Sequence, residues 1–152
     1  MALDLFAALL EVTATLDGAG VEHALVGGLA LAVHGVARAT TDIDLLVQPS
    51  DIERALNAVK PAGFSIGALP IEFSDGMKLH RVTRIDGGEA LTVDFILVDK
   101  NLSDVWETKA YFETTPGRTL CVINRAGLIA MKVRAGRAQD IADVERLRDL
   151  DR

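Results

Sequence analysis

The sequence predicts an α+β fold, a mixed β-sheet flanked by α-helices, in a single domain over residues 1–152. Three observations carry that prediction. Helical periodicity occupies both ends of the chain, and short β-branched and leucine-rich runs fill the middle. The two longest of those runs are joined by a tight turn, so part of the sheet is hairpin-connected rather than a long βαβ series. A chain of this size buries roughly 68–70% of its extended surface, enough for a real core.

The elements follow in order. Leu5, Leu9, Val12 and Leu16 recur at helical spacing, so residues 3–17 read as an amphipathic helix stopped by Gly18 and Gly20. His23 to Val26 is a short apolar run, expected as a buried strand, followed by Gly27-Gly28 and helical composition from Leu29 to Val36. Asp42 to Gln48 is a second strand. Ser50 with Glu53 three residues on predicts a capping box, opening a helix with inner residues Ile52, Leu56 and Val59 that Pro61 and Gly63 end. Residues 64–76 are punctuated by Gly and Pro, with a short strand expected at Phe64-Ser65-Ile66. Met77–Ile85 and Ala90–Val98 flank Asp86-Gly87-Gly88-Glu89, a hairpin signal. A short helix is expected over Leu102–Ala110, a last strand over Thr119–Ile123, and helices over 125–134 and 138–150 separated by Gly136.

Composition narrows the function classes. Apolar residues make up 49% and charged residues 25%, ordinary for a soluble globular protein. No apolar run is long enough to span a bilayer, and the N-terminus lacks the positive region of a signal peptide. One cysteine, Cys121, rules out an internal disulfide and fits a reducing compartment, so the cytoplasm is expected. A net charge of −6 argues against a protein that coats nucleic acid through its phosphates, while leaving room for a local basic patch.

Three pieces carry chemistry. Gly27-Gly28 leaves a strand and opens a helix, where free N–H groups and the absence of a Cβ let a phosphate approach; a plain tight turn is the alternative. Asp42 and Asp44 lie two apart in a strand, so both carboxylates project to one face. Like charges that close raise each other's pKa unless a cation neutralises them, and carboxylates with substrate phosphates are how Mg²⁺ is usually held. A solvent-facing edge strand would also alternate in this way, although Leu46 shares the carboxylate face. Asp94 stands alone in the apolar run Leu91–Val98, where a carboxylate is costly to bury unless it is paired or metal-bound. If its strand lies beside Asp42–Val47, three carboxylates converge, suiting two metal ions roughly 3.5–4 Å apart across a phosphoryl centre. A hydrogen-bonded structural aspartate is the alternative.

The order apolar-Gly27-Gly28, then Asp42-Ile43-Asp44-Leu45, then Asp94 in a later strand resembles the nucleotidyltransferase superfamily of DNA polymerase β type. The stretch Ala32-Val33-His34-Gly35-Val36-Ala37-Arg38-Ala39-Thr40-Thr41-Asp42 is similar to the small bacterial and archaeal proteins akin to type IV toxin–antitoxin toxins. The resemblance implies a nucleotidyltransferase-like sheet in which Gly27 and Gly28 contact nucleotide phosphates. Asp42, Asp44 and Asp94 would then bind two Mg²⁺, with Asp94 a candidate general base. Gly28 stands where many members have serine, so no hydroxyl is offered there. Arg38 falls in the Arg-x-Thr-x-Asp pattern and would orient phosphates or site carboxylates; it reads equally as a surface arginine. Lys132 matches a lysine that reaches the triphosphate, and Asp140 an aspartate opening the next helix; a snorkelling lysine and a helix cap are their alternatives. Lys132, Arg134 and Arg137 form a local basic cluster that could accommodate an anionic acceptor or simply be a solvated helix end. His34 is expected to be a packed or capping residue, and Cys121 a small core hydrophobe.

The expected activity is therefore Mg²⁺-dependent transfer of an NMP from an NTP, such as ATP, to a hydroxyl of RNA, tRNA or protein. An antitoxin protein is the expected partner. A non-catalytic nucleotide- or partner-binding module of the same fold, or an enzyme acting on a small antibiotic-type molecule, are the rival readings.

Overall fold

Asp4 opens the first helix by accepting the backbone N–H of Ala7 at 3.0 Å, and α1 runs over Leu5–Gly18 with Leu9, Val12 and Leu16 buried. The computed structural model describes residues 4–67 and 70–150; the expected helix start at Leu3, and Ala68 and Leu69 within the 64–76 stretch, lie outside them. After α1 come β1 (Ala24–Val26), α2 (Gly27–Val33) and β2 (Asp42–Val47). Then follow α3 (Ile52–Val59), β3 (Ser65–Ile66), β4 (Ile71–Glu72), β5 (Lys78–Asp86) and β6 (Glu89–Leu97). The chain closes with α4 (Ser103–Trp106), β7 (Lys109–Thr115), β8 (Arg118–Ile123), α5 (Arg125–Ala135) and α6 (Ala138–Asp149).

The strands form one mixed sheet in the order β3-β5-β6-β2-β1-β8-β7, with β4 also on β5. The centre is what matters for function. β2 runs antiparallel to β1 and parallel to β6, so Val26 faces Asp44 on one side and Asp94 faces it on the other. The β5–β6 hairpin turns at Gly87 and Gly88, both at positive φ, as the Asp-Gly-Gly-Glu sequence predicts. Ile43, Leu45, Leu46, Val93 and Phe95 in these central strands are almost wholly buried and anchor the core. Among the described residues no helix is long and apolar enough to cross a membrane.

Three local features differ from the sequence reading. Pro49 starts a 3-10 turn, Pro49–Asp51, closed by the Asp51 N–H on the Gln48 carbonyl at 2.9 Å. Ser50 therefore lies inside that turn rather than ahead of the helix, and the Ser50–Glu53 capping box does not form. The helix expected to reach Ala110 ends at Trp106, because Lys109–Thr115 pairs with β8 in an antiparallel ribbon turned at Pro116-Gly117. Aromatic and β-branched side chains at Tyr111, Phe112, Thr114 and Thr115 suit a strand. The two-residue β4 on β5 was also not expected.

Candidate active site

The glycine turn and the acids are held together by close packing. Gly27 is the first residue of α2 and has φ +76°, a conformation side chains rarely adopt. A Cβ built there would run into the Asp44 carboxylate. Gly28 is confined differently: a Cβ on it would lie 2.8 Å from Thr40 Cβ and 2.9 Å from Thr40 Oγ1. Thr40 thus fills the space that a side chain at position 28 would take, and its hydroxyl donates to the Asp42 carbonyl at 3.3 Å. Both glycines are steric requirements of this site, whatever else they do.

Asp42 and Asp44 are partly buried on one face of β2, and the parallel register sets Asp44 directly beside the buried Asp94. Burial pushes the Asp44 carboxyl up to about 7, and the neighbouring charges of Asp94 and Asp42 add to the rise. Lys132 and Arg81 oppose it from a distance. This is the electrostatic state expected of carboxylates gathered around a place for a cation.

Asp94 already has a cation. Arg81, its cross-strand neighbour on β5, donates from Nε to Oδ1 at 2.8 Å and from an Nη to Oδ2 at 3.0 Å. Those hydrogen bonds, ahead of the surrounding negative charge, hold the Arg81 guanidinium above its ordinary pKa. Among the described residues no three His, Cys, Asp or Glu side chains are set to enclose a metal ion. The donor set still suits a hard divalent cation, since Asp42, Asp44 and Asp94 are oxygen ligands and a carboxylate in a bidentate arginine pair keeps a second lone pair on each oxygen.

The tail closes over this face through buried ion pairs. Lys132 on α5 donates to Asp140 at 3.2 Å and lies 3.1 Å from Asp143; both acids are fully buried on α6. Arg38 binds Asp143 from the segment ahead of β2, and Gln139 donates to its other oxygen at 3.0 Å. Asp140 also caps α6, accepting the Arg137 backbone N–H at 3.2 Å and its guanidinium at 2.7 Å. Burial opposes ionisation of Asp140, but the hydrogen bonds from Arg137 and Lys132 outweigh it and hold the carboxyl below its usual range. Lys132 and Asp140 thus both have structural partners, as the capping alternative for Asp140 implied.

Two clefts meet at the acids. A polar one of about 320 Å³ brings together Gly27, Gly28, Arg38, Thr40, Asp42 and Asp44, with Lys132 and Arg137 at its wall. A more apolar one of about 210 Å³ leads from Asp44 and Asp94 past Leu79, Ile96 and Met131 to Phe73. Every site residue expected from the sequence, Gly27, Gly28, Arg38, Asp42, Asp44, Asp94, Lys132 and Asp140, lies at one of these two clefts. A further cleft beyond the other end of β1, lined by Asp17, His23, Lys109, Tyr111 and Cys121, holds none of them. His34 is structural: its Nε2 meets the Ile123 carbonyl at 2.8 Å and its ring stands edge-on to Phe112. Cys121 is buried.

The sequence reading missed Arg81, Asp143 and Phe73. Arg81 has no local signal, because its role comes from register with a residue across the hairpin. Asp143 carried one: it lies three residues after Asp140 and so shares its helix face.

A profile of the nucleotidyl transferase AbiEii toxin family, type IV toxin–antitoxin system, matches residues 9–151. No curated protein matches the chain. Among solved structures, a Thermotoga maritima protein proposed to be a nucleotidyltransferase superposes with a TM-score of 0.66 at 17% identity, over 95% of this chain and 92% of its own. The lincosamide antibiotic adenylyltransferase LnuA, with lincomycin bound, gives 0.60 at 12% identity over 97% of each chain. ANT(2")-Ia, in complex with adenylyl-2"-tobramycin, gives 0.61 at 17% identity over 93% of this chain and 85% of its own. At such identities the superpositions speak for the fold, and the profile speaks for the sequence. Since that profile runs through the glycine turn, all three acids and the buried tail, the chain belongs to the nucleotidyl transferase AbiEii toxin family and is a nucleotidyltransferase.

Proposed function

We propose that the protein transfers an NMP from an NTP to an acceptor hydroxyl, using Asp42, Asp44 and Asp94 to hold two Mg²⁺ ions. The observation that carries this reading is the parallel register of β2 and β6, which sets Asp44 beside Asp94 with Asp42 on the same face. The raised pKa of Asp44 supports it, because a divalent cation would relieve the repulsion that causes part of that rise. The backbone at Gly27 and Gly28, with Lys132, Arg137 and Arg38 around the polar cleft, would take the triphosphate.

In the reaction the acceptor oxygen attacks the α-phosphorus, the bond to the bridging β-phosphate oxygen breaks, and pyrophosphate departs with that electron pair. Bound Mg²⁺ would supply charge neutralisation at the phosphoryl oxygens and make the acceptor hydroxyl easier to deprotonate. Asp94 receives the hydroxyl proton, and Lys132 with Arg137 stabilises the leaving pyrophosphate. An RNA, tRNA or protein hydroxyl is the proposed acceptor, an antitoxin the proposed partner, and the cytoplasm the proposed compartment.

One rival has a specific observation behind it. LnuA, a lincosamide antibiotic adenylyltransferase, superposes over nearly the whole of both chains, so a fold of this extent can serve a small-molecule acceptor. The test is incubation with labelled NTPs, Mg²⁺ and a panel of RNA, protein and small-molecule acceptors. Labelling that disappears in Asp42→Asn with Asp44→Asn supports the mechanism, and equal labelling by that variant refutes it. Mg²⁺-dependent NTP binding without turnover on any acceptor would instead identify a binding module.

A further inference from the structure

We infer that the apolar cleft between the β4–β5 loop and α5 seats a nucleobase; the inference rests on the nucleotidyl-transfer reading and deepens it. The cleft begins at Gly27, Asp44 and Asp94, where an α-phosphate would lie, and shares Lys132 and Arg137 with the polar cleft. A nucleotide with its phosphates in the polar cleft has its uncharged end directed along this one. The floor is apolar, from Leu79 and Ile96 of the sheet and Met131 of α5. At its mouth stands Phe73, 42% exposed, an aromatic face on which a flat heterocycle can stack.

Phe73 is held there by built structure. Its N–H donates to the Met77 carbonyl at 2.8 Å, and Gly76 N–H donates back to the Phe73 carbonyl at 2.9 Å, closing the loop. Arg134 of α5 ties the loop down, with Nε 3.2 Å from the Asp75 carboxylate and one Nη donating to the Asp75 carbonyl at 3.0 Å. The other nitrogen, Nη1, is buried and has no hydrogen-bond partner among the described residues. A buried guanidinium donor left unsatisfied is rare, and here it belongs to a residue lining an apolar cleft. A ring nitrogen or exocyclic carbonyl is the acceptor that such a donor lacks, and a planar base offers both the acceptor and the stacking face. The charge also matches, since Lys132, Arg137 and Arg134 border a path for a polyanion.

The base could belong to the incoming NTP or to the terminal nucleotide of an RNA acceptor. Equilibrium binding to the full chain with Mg²⁺ separates these sources with two probe pairs. The first is a non-hydrolysable NTP against inorganic triphosphate. The second is a short single-stranded RNA against the same RNA with an abasic 3′-terminal nucleotide. In at least one pair the base-bearing probe should bind roughly tenfold tighter, and Phe73→Ala or Arg134→Met should remove most of that difference. Affinity for inorganic triphosphate should stay unchanged in Phe73→Ala, which removes no charge. Asp75→Asn, which keeps Arg134 but weakens the loop anchor, distinguishes loss of the guanidinium from loosening of the loop. Base-less probes that bind as tightly in both pairs overturn the inference. So does a base-dependent difference that survives both substitutions in chains whose thermal unfolding is unchanged. Failure of inorganic triphosphate to bind, with base-bearing probes still sensitive to Phe73, would sink the nucleotidyl-transfer reading and leave the base cleft standing.

Discussion

Arg81 and Asp94 face each other across the β5–β6 hairpin and are joined by two parallel hydrogen bonds, 2.8 and 3.0 Å long. The arginine is 47% exposed on the side chain while the aspartate is buried, so one charge reaches solvent and the other relies on its partner. Arg81→Met leaves Asp94 beside Asp44 without that cation. We expect the metal-free variant to lose on the order of 1–3 kcal/mol of stability, less than a fully buried pair because Arg81 is half exposed. Mg²⁺ should raise the variant's Tm by more than it raises that of the wild type. Equal Mg²⁺ responses would mean that the three acids do not share a cation.

The two glycines should fail for different reasons. Gly27→Ala combines a positive φ with a clash against Asp44, so the site must rearrange. At Gly28→Ala the nearest atoms to the new Cβ all belong to the Thr40 side chain, and Thr40→Gly should restore room for it. Thermal unfolding of the two single variants and the Gly28→Ala, Thr40→Gly double variant checks this, with rescue expected only at position 28. Additive losses in the double variant would show that Thr40 is not what confines Gly28.

The pH dependence of the metal-free protein should carry the signature of Asp44. Its folded carboxyl is raised to about 7, so the folded state holds that proton more tightly than the unfolded chain. The stability it contributes is complete below about pH 4 and is lost as pH rises through about 7. Metal-free protein should therefore melt lower at pH 8 than at pH 6, and Asp44→Asn should remove that difference. At pH 8 the substitution should stabilise the metal-free fold by on the order of 1–3 kcal/mol. A wild-type Tm that is flat between pH 6 and pH 8 would contradict the electrostatic picture of the site.

Lys132 is the central cation of the tail, bridging two fully buried acids. Lys132→Met should cost about 2–4 kcal/mol, because among the described residues Asp140 and Asp143 would keep Arg137, Arg38 and Gln139 as partners. Asp140, whose folded pKa is lowered, contributes stability above its unfolded pKa and loses it as pH falls through the folded value. Acid unfolding should accordingly begin at a higher pH in the variant. An unshifted acid transition would place the stabilisation of Asp140 on Arg137 alone.

Local patterns in the chain were readable where one segment supplies the whole signal. Helical spacing of Leu5, Leu9, Val12 and Leu16 led to α1, and the glycines at 87 and 88 led to the β5–β6 hairpin. The strand at 109–115 was missed because its stabilisation comes from pairing with β8, which no single window reveals. Ser50 and Glu53 had the right spacing for a capping box, but Pro49 drew Ser50 into a 3-10 turn before the helix began. In the site, the same-face placement of Asp42 and Asp44 was fixed by strand periodicity alone.

What the sequence determined by itself was the cast: a glycine turn, a pair of acids two apart, a third acid stranded in an apolar strand, and a lysine in a tail helix. Tertiary structure decided how they meet. Parallel pairing of β2 with β6 brought Asp94 to Asp44 across fifty positions of chain, and antiparallel pairing of β5 gave Asp94 its arginine. Folding of α5 and α6 over that face buried Asp140 and Asp143 beneath Lys132, and set Phe73 and Arg134 at one cleft. The reason is physical: residue type and local spacing fix which face a side chain takes, while register between strands and the docking of helices depend on burial summed over the whole core.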